Sequence, residues 1–367
     1  MAGPLSGVRV VELAGLGPGP FCGMLLADLG ADVVLVQRPG HRAITGAGRF
    51  DVLNRGKRTV VADLKDPADV ELVHRLLERA DVLIEGFRPG VTERLGLGPE
   101  DCWARNPKLV YGRMTGWGQD GPWSAMAGHD IGYIAVTGAL GAIGRADGPP
   151  QVPLNLLGDF GGGSMYLAVG VLAALLNARA TGRGQMVDAA IVDGTAHLAT
   201  VIFGMVASGG WRDERGVNLL DTGAPFYDVY PTADDRHLAV GALEPQFFAE
   251  LLTKLGITDA PPQHDRERWP ELRELIGAAV RAQPLAHWAE VFDGSDACAA
   301  PVLSLTEAPA HPHLAARGTF TDVDGVVQPA PAPRFSHTPS APPGPPPGEP
   351  GARTAEVLSD WGVDRPQ

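Results

Sequence analysis

The sequence of 367 residues contains little cysteine. Its three cysteines, Cys22, Cys102 and Cys298, lie far apart and show no C-x-x-C spacing, which excludes a dense disulfide framework. The N-terminal stretch has neither the basic segment nor the long apolar stretch of an export signal. We therefore expect a cytoplasmic protein whose cysteines are small core residues.

Motifs of several common enzyme classes are also missing. There is no G-x-S-x-G elbow and no Walker loop. The turn "GLGPGP" after the first apolar segment lacks G-x-G-x-x-G, and its prolines remove amide donors that a pyrophosphate needs, so we expect a tight turn there. His311 and His313 flank a proline without partners nearby in the sequence, so no metal site is predicted.

Basic residues are outnumbered by acidic ones, 30 to 43, so the formal net charge is −13. This balance argues against nucleic acid or an anionic membrane as a partner. One segment is an exception, with seven basic residues and two acids between positions 38 and 65, and it is predicted to bind a small polyanion. Its basic residues are Arg38, Arg42, Arg49, Arg55, Lys57, Arg58 and Lys65.

Long apolar runs are also few. The most apolar one, Met165 to Leu176, is shorter than a bilayer span, so we expect a buried helix there and no membrane partner.

The first part of the chain alternates short β-branched segments with segments of helical spacing. The strand-like segments cover residues 8–13, 32–37, 81–87 and 108–114. Strand, helix and strand repeated in this way predict a parallel, doubly wound sheet in an α/β fold.

The pattern changes after residue 220, where two strand-like pieces precede amphipathic helices. We predict a large α/β domain over residues 1–190, a linker helix over 191–220 and a small α+β domain over 221–316. Residues 317–367 are predicted to form a proline-rich return segment and a C-terminal helix that packs on the large domain.

Four polar residues are candidates for chemistry. His129 and Asp130 lie in "AGHDIGY", after a strand-like segment, where α/β proteins place functional side chains. Asp159 precedes three glycines at a predicted helix start, where a carboxylate base and amide donors for an oxyanion can occur together. Glu244 precedes a proline at another predicted helix start. Loop or helix-cap roles are the alternatives for each of these residues.

With their neighbours, these residues resemble the α-methylacyl-CoA racemases, a branch of the family III CoA-transferase superfamily. The similarity follows the family order over nearly the whole chain. Two positions depart from the family pattern, Thr222 in place of a frequent Gly and Gly132 in place of a common Asn. The matching stretches are "VVELAGLGPGPFCGMLLADLGADVVLVQRPG", "VLIEGFRPGVTERLGLGPE", "GHDIGY", "PLNLLGDFGGGSM", "GAPFYDVY", "VGALEPQFF" and "FDGSDACAAPVL".

The resemblance implies that the large domain, residues 1–190, is Rossmann-like and binds CoA. It also implies two interlocked subunits, with each active site between the large domain of one and the small domain of the other. It also implies that CoA is part of the substrate, without a separate cofactor, and lies along the large domain. Arg38 would pack on the adenine, Ala62 and Lys65 would contact the nucleotide, and Tyr133 beside Gly128 would line the thioester end. Gly86, Arg88 and Arg94 would hold the phosphates and the pantetheine.

The resemblance further implies proton transfer at the α-carbon of a 2-methylacyl-CoA. His129 would be the base for the S epimer and Asp159 for the R epimer, while Glu244 of the partner subunit would orient His129. We expect the Asp159 backbone N–H to stabilise the enolate oxygen. Transfer of CoA between acids with Asp130 as nucleophile is an alternative, and a silent acyl-CoA-binding protein is another.

Overall fold

The computed structural model of the chain describes residues 3–40, 46 and 48–366. Arg42 of the basic segment therefore lies outside the described residues. By their contacts the residues divide into two compact units. The first unit contains residues up to 137, residues 154–198 and residues from 312 on, and the second contains residues 138–153 and 199–311.

The first unit is built around a six-stranded parallel sheet with the strand order β3-β2-β1-β4-β5-β6. This is the order of a doubly wound Rossmann-like sheet, so the predicted fold class is confirmed. The strands are β1 (Arg9–Leu13), β2 (Asp32–Gln37), β3 (Arg58–Val61), β4 (Val82–Glu85), β5 (Val110–Thr115) and β6 (Met186–Ala190).

Helices cover both faces of this sheet, and an antiparallel hairpin of β10 (Phe320–Val323) and β11 (Val326–Pro329) lies outside it. A π-helical turn, Leu156–Ser164, leads directly into the longest helix. The helices of this unit are α1 (Pro18–Asp28), α2 (Pro67–Leu77), α3 (Val91–Arg94), α4 (Pro99–Arg105), α5 (Asp130–Val136), α7 (Met165–Thr181), α8 (Ile191–Leu198), α13 (Pro312–Arg317) and α14 (Thr354–Trp361).

Each sheet face has its own apolar core. On one face Leu167 and Val171 of α7 pack with Val10 of the central strand. On the other face Leu72 of α2 packs with Val34, and Trp361 of the C-terminal helix joins the same cluster. The last residues of the chain therefore complete a core that the first strands begin.

The apolar run at Met165 is part of a longer helical stretch. The π-helical turn and α7 form 26 continuous helical residues, Leu156–Thr181, which contain an 18-residue window with a mean hydropathy of 1.5. By length and composition alone this helical stretch could cross a membrane, so the argument from the shortness of the run is wrong. In the fold, 44% of the window is buried.

The basic segment contains three residues that neutralise internal acids. Arg55 forms a buried ion pair with Asp28, and the fully buried Lys57 pairs with Glu12 of β1. Arg58 pairs with Asp32 and Asp360. The prediction that the whole segment faces a polyanion is therefore wrong for these three side chains, whereas Arg38, Arg49 and Lys65 are exposed.

The second unit contains the antiparallel sheet β7-β8-β9. Helices pack on it through Leu272, Ile276 and Trp288, in a core that also contains Phe226. Cys298 is exposed, contrary to expectation, while Cys22 and Cys102 are buried as expected. The elements are α6 (Ala139–Ala142), α9 (Thr200–Ala207), β7 (Tyr227–Pro231), β8 (His237–Gly241), α10 (Pro245–Lys254), α11 (Trp269–Arg281), α12 (Leu285–Phe292) and β9 (Ala299–Pro301).

The division by contacts differs from the predicted domain boundaries at three places, and one of them is residues 312–316, which belong to the first unit. Residues 138–153 belong to the second unit, because the Arg215 guanidinium donates to the carbonyls of Gly141, Arg145 and Gly148. The predicted linker helix over 191–220 is two helices, and α8 belongs to the first unit while α9 belongs to the second.

Candidate active site

The first unit contains a cavity of about 540 Å³ at the carboxyl ends of its central strands. Residues 13–20 after β1, 84–89 from β4 and 114–117 from β5 line it. The strand order reverses between β1 and β4, and ligands of open α/β sheets bind in the crevice at such a point. The position of the cavity therefore follows from the strand order of the sheet.

His129 and Asp159 both line this cavity. His129 is the extended residue just before α5 and is exposed, and Asp159 lies in the first part of the π-helical turn. Thirty residues of sequence separate them, yet two different helix starts bring an imidazole and a carboxylate to one space. This pair can exchange a proton with a ligand held in the cavity.

The surroundings of Asp159 raise its pKa above the usual value for an aspartate. Burial is the largest cause, and the negative charge of Asp130 adds to it. A 3.4 Å hydrogen bond from Asn155 Nδ2 to Asp159 Oδ2 and the nearby His129 act in the opposite direction. Gly17 lies against the same carboxylate with a left-handed φ of 66°, so the "GLGPGP" turn is tight, as predicted, and approaches Asp159 closely.

Asp130 lies outside the residues that line the cavity. It is 6% exposed, and its Oδ1 accepts a 2.6 Å hydrogen bond from the backbone N–H of Asp159. Its Oδ2 is buried and has no hydrogen-bond partner among the described residues. A Cβ at Gly158 would collide with this carboxylate, so the glycine makes room for Asp130. The prediction that the Asp159 N–H is free for an oxyanion is therefore wrong.

The three glycines after Asp159 have a different role from the predicted one. A Cβ at Gly162 would lie 2.7 Å from the backbone nitrogen of Thr195 in α8, and a Cβ at Gly194 would overlap the Gly162 carbonyl. These glycines allow the π-helical turn and α8 to pack backbone against backbone. They do not keep amides open to a ligand, as the sequence suggested.

Aromatic side chains form one wall of the cavity. Tyr133 and Trp117 both line it and meet edge to face at 4.7 Å, and Trp123 packs on Trp117 at 4.9 Å. Gly116 and Gly128 leave space for the Tyr133 ring, which a Cβ at either position would overlap. Burial, followed by the charge of Asp159, raises the pKa of Tyr133, so its hydroxyl stays protonated. The sequence analysis missed both tryptophans, although "GWGQDGPW" follows a predicted strand end.

The loop after β4 is held by a buried ion pair that the sequence analysis also missed. Glu85 Oε2 accepts a 2.7 Å hydrogen bond from the Phe87 N–H, and its Oε1 lies 2.9 Å from Arg113 Nε. Burial raises the pKa of Glu85. These contacts fix the loop that presents Gly86 and Arg88 to the cavity. Glu85 and Arg113 are 28 residues apart, so no local motif indicates the pair.

The other residues expected to contact CoA are only partly gathered here. Gly86, Arg88, Gly128 and Tyr133 line the cavity, whereas Arg38, Ala62, Lys65 and Arg94 lie outside its lining. Arg38, Lys65 and Arg94 are exposed, and Ala62 is buried at the end of β3. Contact of these eight residues with CoA stays a prediction.

Glu244 belongs to the second unit. It is the residue before α10, with Pro245 at the first helical position as predicted. Its side chain is exposed and accepts no capping hydrogen bond from the first turn, so the helix-cap alternative is wrong. Its carboxylate is available for another interaction.

The two departures from the family pattern differ in their structural effect. Thr222 adopts a left-handed φ of 74°, a conformation that is unfavourable for a β-branched residue and easy for glycine. Gly132 lies in α5, and a Cβ there would meet nothing within 4 Å. A larger residue at position 132 would therefore fit, whereas Thr222 is strained.

Comparison with known proteins matches residues 5–354 to the model of CoA-transferase family III. The chain is 46% identical over 366 residues to the α-methylacyl-CoA racemase of Mus musculus, covering 99% of this chain and 94% of that protein. The Homo sapiens α-methylacyl-CoA racemase is 45% identical over 368 residues, with the same coverage. A solved CAIB/BAIF family protein from Brucella suis aligns with a TM-score of 0.84 and 28% identity, covering 98% of this chain and all of that chain.

Proposed function

The chain belongs to CoA-transferase family III, and within that family we propose that it is an α-methylacyl-CoA racemase. The enzyme would interconvert the R and S epimers of 2-methylacyl-CoA thioesters. The observation that carries this proposal is that His129 and Asp159 line one cavity. The identity of 45–46% to two α-methylacyl-CoA racemases over 99% of the chain supports it.

Racemisation requires two groups with complementary protonation states. One base takes the α-proton and the C–H bond electrons form a planar enolate, and the conjugate acid on the other side then donates a proton to the opposite face. We assign His129 as the base for the S epimer and Asp159 as the base for the R epimer. Each turnover leaves the enzyme in the protonation state that accepts the epimer just formed.

The environment of Asp159 suits this exchange. A general base works best when its pKa lies near the operating pH, and burial together with the Asp130 charge raises the pKa of Asp159 in that direction. Positioned acid–base groups contribute about 10²- to 10⁴-fold each to the rate. The raised pKa also makes the protonated Asp159 easier to form after it has taken the α-proton.

The enolate oxygen needs a donor other than the Asp159 N–H, which Asp130 occupies. We assign this role to the backbone N–H of Asp130, which directly follows His129 at the first turn of α5. It has no acceptor in the part of the chain that the structure describes. A single oxyanion donor contributes about 2.7–4 kcal/mol to catalysis.

We also propose a homodimer in which the partner subunit's Glu244 orients His129. The exposed carboxylate of Glu244, which makes no capping hydrogen bond, supports this proposal, because it can accept a hydrogen bond from an imidazole N–H. In this proposal CoA enters and leaves as part of the thioester.

CoA transfer with Asp130 as nucleophile is the alternative that the family context raises. A nucleophile must reach the thioester carbonyl, but the Asp130 carboxylate is buried, bound to the Asp159 N–H and outside the cavity lining. The site geometry therefore favours proton transfer.

One experiment separates these activities. A single epimer of a 2-methylacyl-CoA is incubated with the enzyme in D₂O, with and without an added carboxylic acid. Racemisation with one deuterium gained at the α-carbon supports the racemase, and appearance of CoA on the added acid supports the transferase. Binding without either change supports a silent acyl-CoA-binding protein.

The variants His129→Gln and Asp159→Asn test the residue assignments in the same assay. Each should lower epimer exchange by at least about 10²-fold, because each removes one of the two acid–base groups. Wild-type exchange in either variant would exclude that residue from the mechanism.

A further inference from the structure

The second unit contains a cavity of its own, with a volume of about 620 Å³. Parts of β7 and α11, the first residue of β8 and one side chain from the 138–153 segment line it. Its charged lining residues are Arg145, Arg273, Arg281, Asp228 and Glu274, together with the titratable His237. Three guanidinium groups therefore face two carboxylates, in a protein whose net charge is −13.

A buried carboxylate organises one end of this cavity. The Asp228 side chain is 1% exposed, and Arg145 and Arg273 both form ion pairs with it, Arg145 at 2.7 Å. The Val229 N–H donates to Asp228 Oδ1 at 2.7 Å. One negative charge thus fixes two guanidinium groups and leaves a positive charge in excess at this end. The hydrogen bond to Asp228 raises the pKa of Arg145, which keeps it cationic.

Both arginines are also held by backbone groups. Arg273 Nη2 donates to the carbonyls of Thr222 and Gly223 at 2.7 and 2.9 Å. Arg145 Nη2 donates to the Val229 carbonyl at 3.3 Å. These contacts reduce the side-chain entropy that binding of an anion would otherwise cost.

The middle of the cavity lacks long side chains. Gly277 and Ala278 of α11 lie there, and a Cβ at Gly277 would be 3.6 Å from the Tyr230 ring. Tyr230 is 4% exposed, and its hydroxyl donates to the Pro225 carbonyl. The floor is therefore small and mostly apolar, with space for the body of a ligand.

At the far end of the cavity lie two side chains, Arg281 and His237, that can bind a ligand. Arg281 follows Arg273 by eight residues on the same helix, which separates their Cα atoms by about 12 Å along the axis. The side chains of Arg281 and His237 have no hydrogen-bond or ion-pair partner among the described residues. An anion bound here would complete their interactions, and although Glu274 repels anions, the lining has three arginines against two carboxylates.

We propose that this cavity binds a small dianion whose acidic groups are phosphates or carboxylates, with one group at Arg145 and Arg273 and the other at Arg281 and His237. Planar guanidinium groups bind either kind of oxyanion through paired hydrogen bonds. The site is separate from the proposed racemase residues of this unit, because His237 begins β8 while Glu244 follows its end. The proposal does not depend on the racemase activity.

The test is a calorimetric titration of the full-length protein with pyrophosphate and, separately, with glutarate. The two probes distinguish a phosphate ligand from a dicarboxylate. Arg281→Gln removes one cation from this cavity, and Arg88→Gln is the matched control that removes one from the cavity of the first unit. We expect Arg281→Gln to weaken binding at least about tenfold and Arg88→Gln to leave this binding event unchanged.

Arg281 is exposed and unpaired, so its replacement should leave the melting temperature unchanged. Charge reversal in Arg281→Glu should weaken binding further than Arg281→Gln. The proposal is overturned if neither probe binds up to about 5 mM. It is equally overturned if all binding is lost in Arg88→Gln and kept in Arg281→Gln, because the anion would then occupy only the first unit.

Discussion

The backbone N–H of Asp159 donates a 2.6 Å hydrogen bond to the buried carboxylate of Asp130. This contact fixes the peptide of the proposed base and places a second negative charge beside it. In the proposed mechanism the Asp130 side chain therefore acts through Asp159, as a positioning group, and its carboxylate lies outside the cavity lining, whereas its backbone N–H is assigned to the enolate oxygen.

Replacing Asp130 by Asn should shift the acid limb of the kcat/KM profile to lower pH. The Asp130 charge raises the pKa of Asp159, so a neutral amide lowers that pKa and the base stays ionised in more acidic solution. The amide oxygen can still accept the Asp159 N–H, so activity at neutral pH should fall by about tenfold or less. The measurement is racemisation of the R epimer, for which Asp159 is the proposed base, across the pH range.

Asn155→Ala is the control with the opposite sign. Its side chain donates to Asp159 Oδ2 and lowers the pKa of that carboxyl, so its removal should move the acid limb to higher pH. If both variants lose activity without moving the limb, Asp130 has only a structural role.

Gly194→Ala should destabilise the protein by about 1–3 kcal/mol, as overpacking does. The new Cβ would overlap the Gly162 carbonyl, and backbone cannot move aside as a side chain can. Gly204→Ala is the matched control, since that helical glycine meets nothing within 4 Å and alanine favours a helix by up to about 1 kcal/mol. Urea unfolding midpoints compare the two, and equal midpoints would contradict the close crossing of the two helical segments.

Thr222→Gly should stabilise the protein by about 0.5–1 kcal/mol. The left-handed conformation costs an L-residue about 1–2 kcal/mol, and the extra freedom of glycine in the unfolded chain offsets part of the gain. Asp235→Gly is the control, because Asp235 also has a positive φ, 56°, but aspartate tolerates it better. Thermal unfolding should show the larger increase for Thr222→Gly, and the reverse order would argue against strain at position 222.

A shared active site can be tested by mixing two inactive variants. His129→Ala and Glu244→Ala should each be impaired alone. Subunits of both kinds, refolded together, should regain activity, because one of the two sites in a mixed dimer would combine an intact His129 with the partner subunit's intact Glu244. No gain over the separate variants would argue that both residues act within one subunit.

Strands of the parallel sheet were predicted correctly where a hydrophobic segment of the sequence is bounded by turn residues. Residues 32–37 form β2 as expected, and β4 and β5 differ from prediction only at their ends. The edge strand β6 was missed because Met186–Ala190 runs into α8 without a glycine or proline turn between them. Strand β3 was missed inside the basic segment.

The proposed acid–base pair was also predictable, since the motifs around His129 and Asp159 are local. The contacts that act on these residues were not. Arg55, Lys57 and Arg58 form ion pairs with acids at least 26 residues away, so a count of nearby charges cannot detect their neutralisation. The Asp130–Asp159 contact likewise depends on two helical segments that meet only in the folded chain.

Arg55, which forms an ion pair with Asp28, also contacts the β10–β11 hairpin. Its Nη1 donates to Gln328 Oε1 at 2.8 Å and to the Pro329 carbonyl. Val357 and Trp361 then fill the core beside β3. During synthesis the ribosome must therefore deliver the whole second unit before the first can close, even though the first begins at the N-terminus. In sequence the second unit is inserted within the first, so it can fold before the first unit is complete. Until the C-terminal helix is synthesised, part of one face of the Rossmann-like sheet stays uncovered.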